Sequence, residues 1–141
     1  MSSTFTANIA QVGLAALLTR FGDPGDALRA FRDCVSRWHR MQVWHHQWTT
    51  LRNLVQLLVR IRACEEAAVL LGAIGAADTA TAPYGADADS LADATDILRN
   101  ALGPPVFTAA TARGGAMTAD ATATFALSTI DRGLQRRIRE R

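Results

Sequence analysis

Lysine is absent from this chain: all fifteen basic side chains are arginine. Without lysine the sequence cannot supply a Gly-x-x-x-x-Gly-Lys-Ser/Thr phosphate loop, so nucleotide hydrolysis by that route is excluded within these residues. Cysteine is confined to Cys34 and Cys64, too few for a disulfide framework. Both fall in stretches that read as helix, where a free thiol behaves as a small buried apolar group, and a reduced, cytoplasmic setting is expected. Tyrosine occurs once, and valine and isoleucine are sparse against abundant alanine. That balance disfavours strands, which draw on β-branched and aromatic residues, and favours helices, where alanine loses no side-chain entropy.

Long apolar runs are missing too. The stretch 12–18 falls far short of the roughly 20 apolar residues a membrane span needs. It also lacks the basic flank and cleavage site of a secretory leader, so no membrane partner is expected. The formal net charge of +2 is too small for a protein that coats nucleic acid. The basic end, Arg132, Arg136, Arg137, Arg139 and Arg141 against Asp131 and Glu140, carries no aromatic residue on which a base could stack. It reads as a solvated helix end, frayed beyond 135, and nucleic acid is not expected as a partner of this segment.

What is present is a globular composition, 49% hydrophobic and 20% charged, in 141 residues, enough for one domain with a real core. Ile9, Val12, Ala16 and Leu17 share one face of a helix over 7–20. Gly22 suits its end, Asp23 can cap the next helix, and Pro24 fits a first helical position. That helix, 24–41, has the apolar stripe Ala27, Leu28, Phe31, Cys34, Val35 and Trp38. A third helix covers 43–62 and a fourth 65–77, separated by so few residues that they form a tight hairpin. The segment 78–89, rich in Thr, Asp, Pro and Gly, reads as a loop. A helix capped by Ser90 runs to 102 and is broken by Gly103-Pro104-Pro105. A short helix over 106–113 stops at Gly114-Gly115, and Thr118 caps a last helix to about 135.

Leu17-Leu18-Thr19-Arg20-Phe21 aligns with Leu57-Leu58-Val59-Arg60-Ile61, and Ala27 and Phe31 align with Ala67 and Leu71. The offset is 40 residues throughout, within the range of helical-hairpin repeats, and Ala-x-x-x-Phe belongs to the tetratricopeptide pattern. The expected fold is all-α. Residues 1–141 form a single helical-repeat domain, with two antiparallel hairpins over 7–77 stacked as a tetratricopeptide-like right-handed array, the loop 78–89, and capping helices over 90–135.

The densest cluster of chemistry is Trp38-His39 through Trp44-His45-His46-Gln47-Trp48. A metal reading would use His39, His45 and His46. Adjacent histidines diverge by about 100° on a helix, neither has an i, i+4 partner, and no Asp or Glu lies between Asp33 and Glu65. No metal or other cofactor is therefore expected. Ser36 with His39 and Asp33 lacks a nucleophile elbow and an oxyanion loop, Cys34 lies in the apolar stripe, and no catalytic residue is assigned. The preferred reading is that Trp38, Trp44 and Trp48 cement a junction between hairpins, with the histidines at its wet edge. The candidate partner- or effector-binding residues are Trp38, Trp44, His45, Trp48, Arg52 and Asn53.

Three segments together resemble a known family. They are Phe21-Gly22-Asp23-Pro24-Gly25-Asp26-Ala27-Leu28 leading to Trp38, then Trp44 through Trp48-Thr49-Thr50-Leu51-Arg52-Asn53-Leu54, then Glu65-Glu66-Ala67-Ala68-Val69-Leu70-Leu71-Gly72-Ala73. Leu98-Arg99 with Leu102-Gly103, and Arg113-Gly114-Gly115-Ala116-Met117-Thr118, follow in order. This arrangement is similar to the C-terminal helical-repeat region of actinobacterial LuxR-type signalling ATPases, some of which begin with an adenylate cyclase domain. The resemblance implies a non-catalytic interaction or signal-sensing module of a transcriptional or signalling regulator, forming the C-terminal part of a larger ATPase. Its partner would be a protein or the rest of that regulator, and a second copy could cover an open end of the stack. The alternative is a small-molecule effector-binding domain using a concave aromatic and arginine face.

Overall fold

The computed structural model describes residue 19 and residues 22–77 and 85–139. The expected helix over 7–20, apart from Thr19, and the first part of the expected loop over 78–89 lie outside the described residues. Those described form an all-helical structure without strands. The helices are α1 (Pro24–Met41), α2 (Trp44–Arg60), α3 (Cys64–Ala76), α4 (Ala86–Leu102), α5 (Pro104–Gly115) and α6 (Ala119–Arg139).

The start of α1 follows from its first residues. The Asp26 amide donates to Asp23 Oδ2 at 3.1 Å and Pro24 opens the first turn, so one unsatisfied terminal amide gains a partner and proline gives up none. Just before it, Arg60 donates to the carbonyls of Thr19 (2.8 Å) and Gly22 (3.0 Å), tying the entry of α1 to the end of α2. Two short links reverse the chain between α1, α2 and α3. Gln42 (φ 56°) and Arg62 (φ 65°) adopt left-handed backbone there, and the amides of Val43 and Ala63 return to the carbonyls of Trp38 (3.1 Å) and Leu58 (2.9 Å). This is the Schellman way of ending a helix, met here without glycine.

Leu28, Phe31, Val35 and Trp38 of α1 are fully buried, as are Leu51, Leu54, Val55 and Leu58 of α2. Their three- and four-residue spacing puts each set on one face. α3 is different: Ala67, Ala68, Val69 and Leu70 are buried in succession, so no side of this turn meets water and α3 is the central helix. It packs against α2, α4, α5 and α6.

The α3–α5 crossing is a contact of backbones. A Cβ on Gly72 would sit 2.0 Å from the Thr111 carbonyl oxygen, and one on Gly114 would sit 1.8 Å from the Val69 carbonyl oxygen. Both distances lie far inside van der Waals contact, so only glycine permits the approach. α5 ends at Gly115, within the Gly114-Gly115 pair expected to stop it, with both glycines inside its last turn. α2 and α3 differ from expectation by one or two residues at their ends, and three boundaries differ for a reason. Ser90 does not cap α4, which begins at Ala86 after Gly85. α5 starts at Pro104 rather than at 106, because Gly103, at φ 84°, turns the chain and proline is accepted in a first turn. α6 runs to Arg139 rather than fraying beyond 135. Thr118 does cap α6, accepting from the Ala121 amide at 3.1 Å.

α6 returns along α1 in the opposite direction. Asp120 meets His39 (2.9 Å), Asp131 lies 3.7 Å from Arg32, and Gly133 lies against Leu28. As residue numbers fall along α1 they rise along α6, which defines an antiparallel pair.

Candidate functional site

Residues from the end of α1 and the start of α2 form an aromatic corner. Gln42 makes the turn, its side-chain amide donating to the His39 carbonyl at 2.7 Å and its Oε1 accepting from Trp44 Nε1 at 3.3 Å. The two helices are fastened beneath it by Gln47, fully buried, which donates through Nε2 to the Val35 carbonyl at 3.0 Å. The Thr50 hydroxyl, also buried, donates to the His46 carbonyl at 2.9 Å.

On this frame the rings assemble in two layers. Trp38 stacks on His46 with centroids 4.9 Å apart, and Trp44 tilts onto Trp48 at 5.7 Å. His39 meets Trp44 edge-on at 5.9 Å, and His45 meets His46 at 5.4 Å. Trp38 is fully buried and Trp48 is 3% exposed, whereas Trp44, His39 and His46 are half-buried and His45 is exposed. Two tryptophans therefore form the base and one tryptophan with three histidines forms the rim; the expectation had all three tryptophans in the junction, whereas Trp44 stands with the histidines. Arg52 and Asn53 are half-buried further along α2. Because Trp38 and Trp48 offer almost no free ring, the candidate residues with exposed surface are Trp44, His45, Arg52 and Asn53.

The electrostatics of the corner are mild. Burial, and secondarily the neighbouring His45, holds the His46 imidazole below its ordinary value. His39 Nε2 is hydrogen-bonded to Asp120 Oδ1 from α6, which fixes its ring. The arrangement presents amphipathic indole and imidazole rings, half-buried at Trp44, His39 and His46 and exposed at His45. Cys34, near the base, has its thiol pushed up to about 11, first by burial and then by Asp33, with Arg37 opposing. At neutral pH such a thiol is a poor nucleophile. Among the described residues no three His, Cys, Asp or Glu side chains converge as metal ligands, and no helix is long and apolar enough to cross a membrane.

Sequence reasoning found the rings but not the role of α6, whose Asp120 braces His39 from 81 residues away. No local pattern marks such a partner. Compared with known proteins, the chain matches no family model, no curated protein and no solved structure.

Proposed function

We propose that this chain is a non-catalytic protein-interaction or signal-sensing module of a transcriptional or signalling regulator. In this reading it is a tetratricopeptide-like helical array in the cytoplasm, forming the C-terminal part of a larger ATPase. The observation that carries it is the two-layer corner: Trp44 and His45 are presented outward on a base of buried Trp38 and Trp48. A half-exposed tryptophan already held in place loses little entropy on binding, and rigid tryptophans are frequent anchors of protein interfaces. The order of motifs from Phe21 to Thr118, similar to the repeat region of LuxR-type regulators, supports the regulatory half of the proposal.

The test is site-specific photocross-linking in the native cell, with the photoreactive side chain placed at His45 and, as a control, at exposed Ala109 of α5. The expected result is one discrete adduct from position 45, mapping to a protein partner or to the rest of the regulator and abolished by Trp44→Ser. No adduct from position 45, or the same adducts from both positions, overturns the proposal.

A further inference from the structure

The α1–α6 pair ends, away from the aromatic corner, in a groove of about 470 Å³. Asp23, Arg29 and Arg32 line it from the α1 side, and Leu134, Arg137 and Ile138 from α6. Along α1 the groove reaches as far as Arg32 and the corner begins at Trp38, six residues or about 9 Å further on.

Among the described residues, the charges in this groove do not all have ionic partners. The Asp23 carboxylate already accepts the Asp26 amide as the cap of α1. Arg29 is engaged by Asp26. Arg32 lies 3.7 Å from Asp131, a long contact between two half-exposed groups, which holds the guanidinium weakly. Arg137 is half-buried and has no carboxylate partner among the described residues. Among the described residues, one loosely held guanidinium and one without a carboxylate partner therefore face the same space.

The rest of the lining is apolar. Leu134 and Ile138 stand one turn apart on the same face of α6, and Ile138 is 71% exposed, the most exposed large apolar side chain described. An arginine surplus beside an aliphatic strip fits a ligand with an anionic head and a hydrocarbon arm. The volume falls in the range of small-molecule sites. Arg29, Arg32 and Arg137 stand against Asp23 in the lining and Asp26 and Asp131 beside it, so the charges nearly balance and a monoanion disturbs them less than a phosphate dianion would. The planar guanidinium fork matches a carboxylate in two parallel hydrogen bonds.

We propose that this groove binds an aliphatic carboxylate, the carboxylate held by Arg137 and Arg32 and the hydrocarbon arm laid along Leu134 and Ile138. The site is separate from the aromatic corner and does not depend on the function proposed there.

The test is isothermal titration of the full chain with octanoate, with acetate as the head alone and octanol as the arm alone. The variants Arg137→Gln and Ile138→Ser are surface changes whose folding is checked by circular dichroism. Octanoate is expected to bind at least about tenfold more tightly than either fragment, and each variant to lose about tenfold, the equivalent of about 1.4 kcal/mol. Trp44→Ser is expected to bind octanoate like the parent chain. No binding of octanoate, equal binding of octanol, or unchanged affinity in Arg137→Gln overturns the proposal.

Discussion

His39 and Asp120, 81 residues apart in sequence, share a 2.9 Å hydrogen bond that joins the end of α1 to the start of α6. The pair is one end of a seam that continues through Arg32 and Asp131 to Leu28 and Gly133. Both candidate binding places depend on it. At one end α6 braces the histidine that abuts Trp44, and at the other it supplies Leu134, Arg137 and Ile138 to the groove. The exposed ion pairs along the seam contribute little individually. The seam rests on burial instead, with Leu28, Ala126 and Ile130 all fully covered.

The glycine crossing of α3 and α5 should be intolerant of any side chain. Gly114→Val and Gly72→Val each drive carbon into a backbone carbonyl, and about 3 kcal/mol or more of stability should be lost. Gly75→Ala meets nothing within 4 Å and should be neutral or slightly stabilising. Urea denaturation of the three variants checks this.

Trp48→Ala removes a ring from the base of the corner and should cost about 3–5 kcal/mol in the same measurement. A loss below about 1 kcal/mol would mean that the ring does not support the corner.

Arg62 is exposed and holds a left-handed conformation, at φ 65°, that costs a residue with a Cβ about 1–2 kcal/mol. Arg62→Gly removes that strain but gains freedom in the unfolded chain. A net stabilisation of about 0.5–1 kcal/mol, seen as a higher melting temperature, is expected. Gln42→Gly should gain less, because it also deletes the bonds to the His39 carbonyl and Trp44 Nε1.

His46 gives the fold a pH dependence of definite sign. Its folded-state value is depressed, so below the ordinary imidazole value near 6.5 the unfolded chain binds a proton that the folded chain resists. Its contribution to stability is fully present above that pH and is lost as pH falls toward the folded-state value. The urea midpoint should drop between pH 7.5 and 5.5 by more in the parent chain than in His46→Phe, which keeps a ring against Trp38. Equal slopes would remove His46 as the source.

How much of this was legible in the sequence depends on how local each cause is. α1 was readable to both ends, because Asp23 and Pro24 sit beside the turn they make and the stripe from Ala27 to Trp38 has a helical period. The gathering of the rings at the α1–α2 corner was readable, but not that Trp44 would stand apart from buried Trp38 and Trp48. Gly114-Gly115 marked the end of α5 correctly but hid a second role, because glycine is ambiguous. It ends helices through its backbone freedom, but here its missing side chain admits the backbone of α3. Ser90 misled because a plausible cap does not bind the chain to begin there; its carbonyl instead receives Gln56 Nε2 at 3.1 Å. The groove was invisible because its two walls come from opposite ends of the described chain. Only the four-residue step from Leu134 to Ile138, with Arg137 beside it, hinted that α6 carries an amphipathic face past 135.

The antiparallel α1–α6 seam is the claim on which the rest depends, and it predicts one direct observation. In the folded protein, the methyl protons of Leu28 should show a strong nuclear Overhauser cross-peak to the α-protons of Gly133, since a Cβ at that glycine would lie only 3.2 Å from Leu28 Cδ1. A well-resolved spectrum in which the Leu28 methyls show contacts to α2 but none to Gly133 would contradict the seam, and with it the placement of both the aromatic corner's brace and the arginine groove.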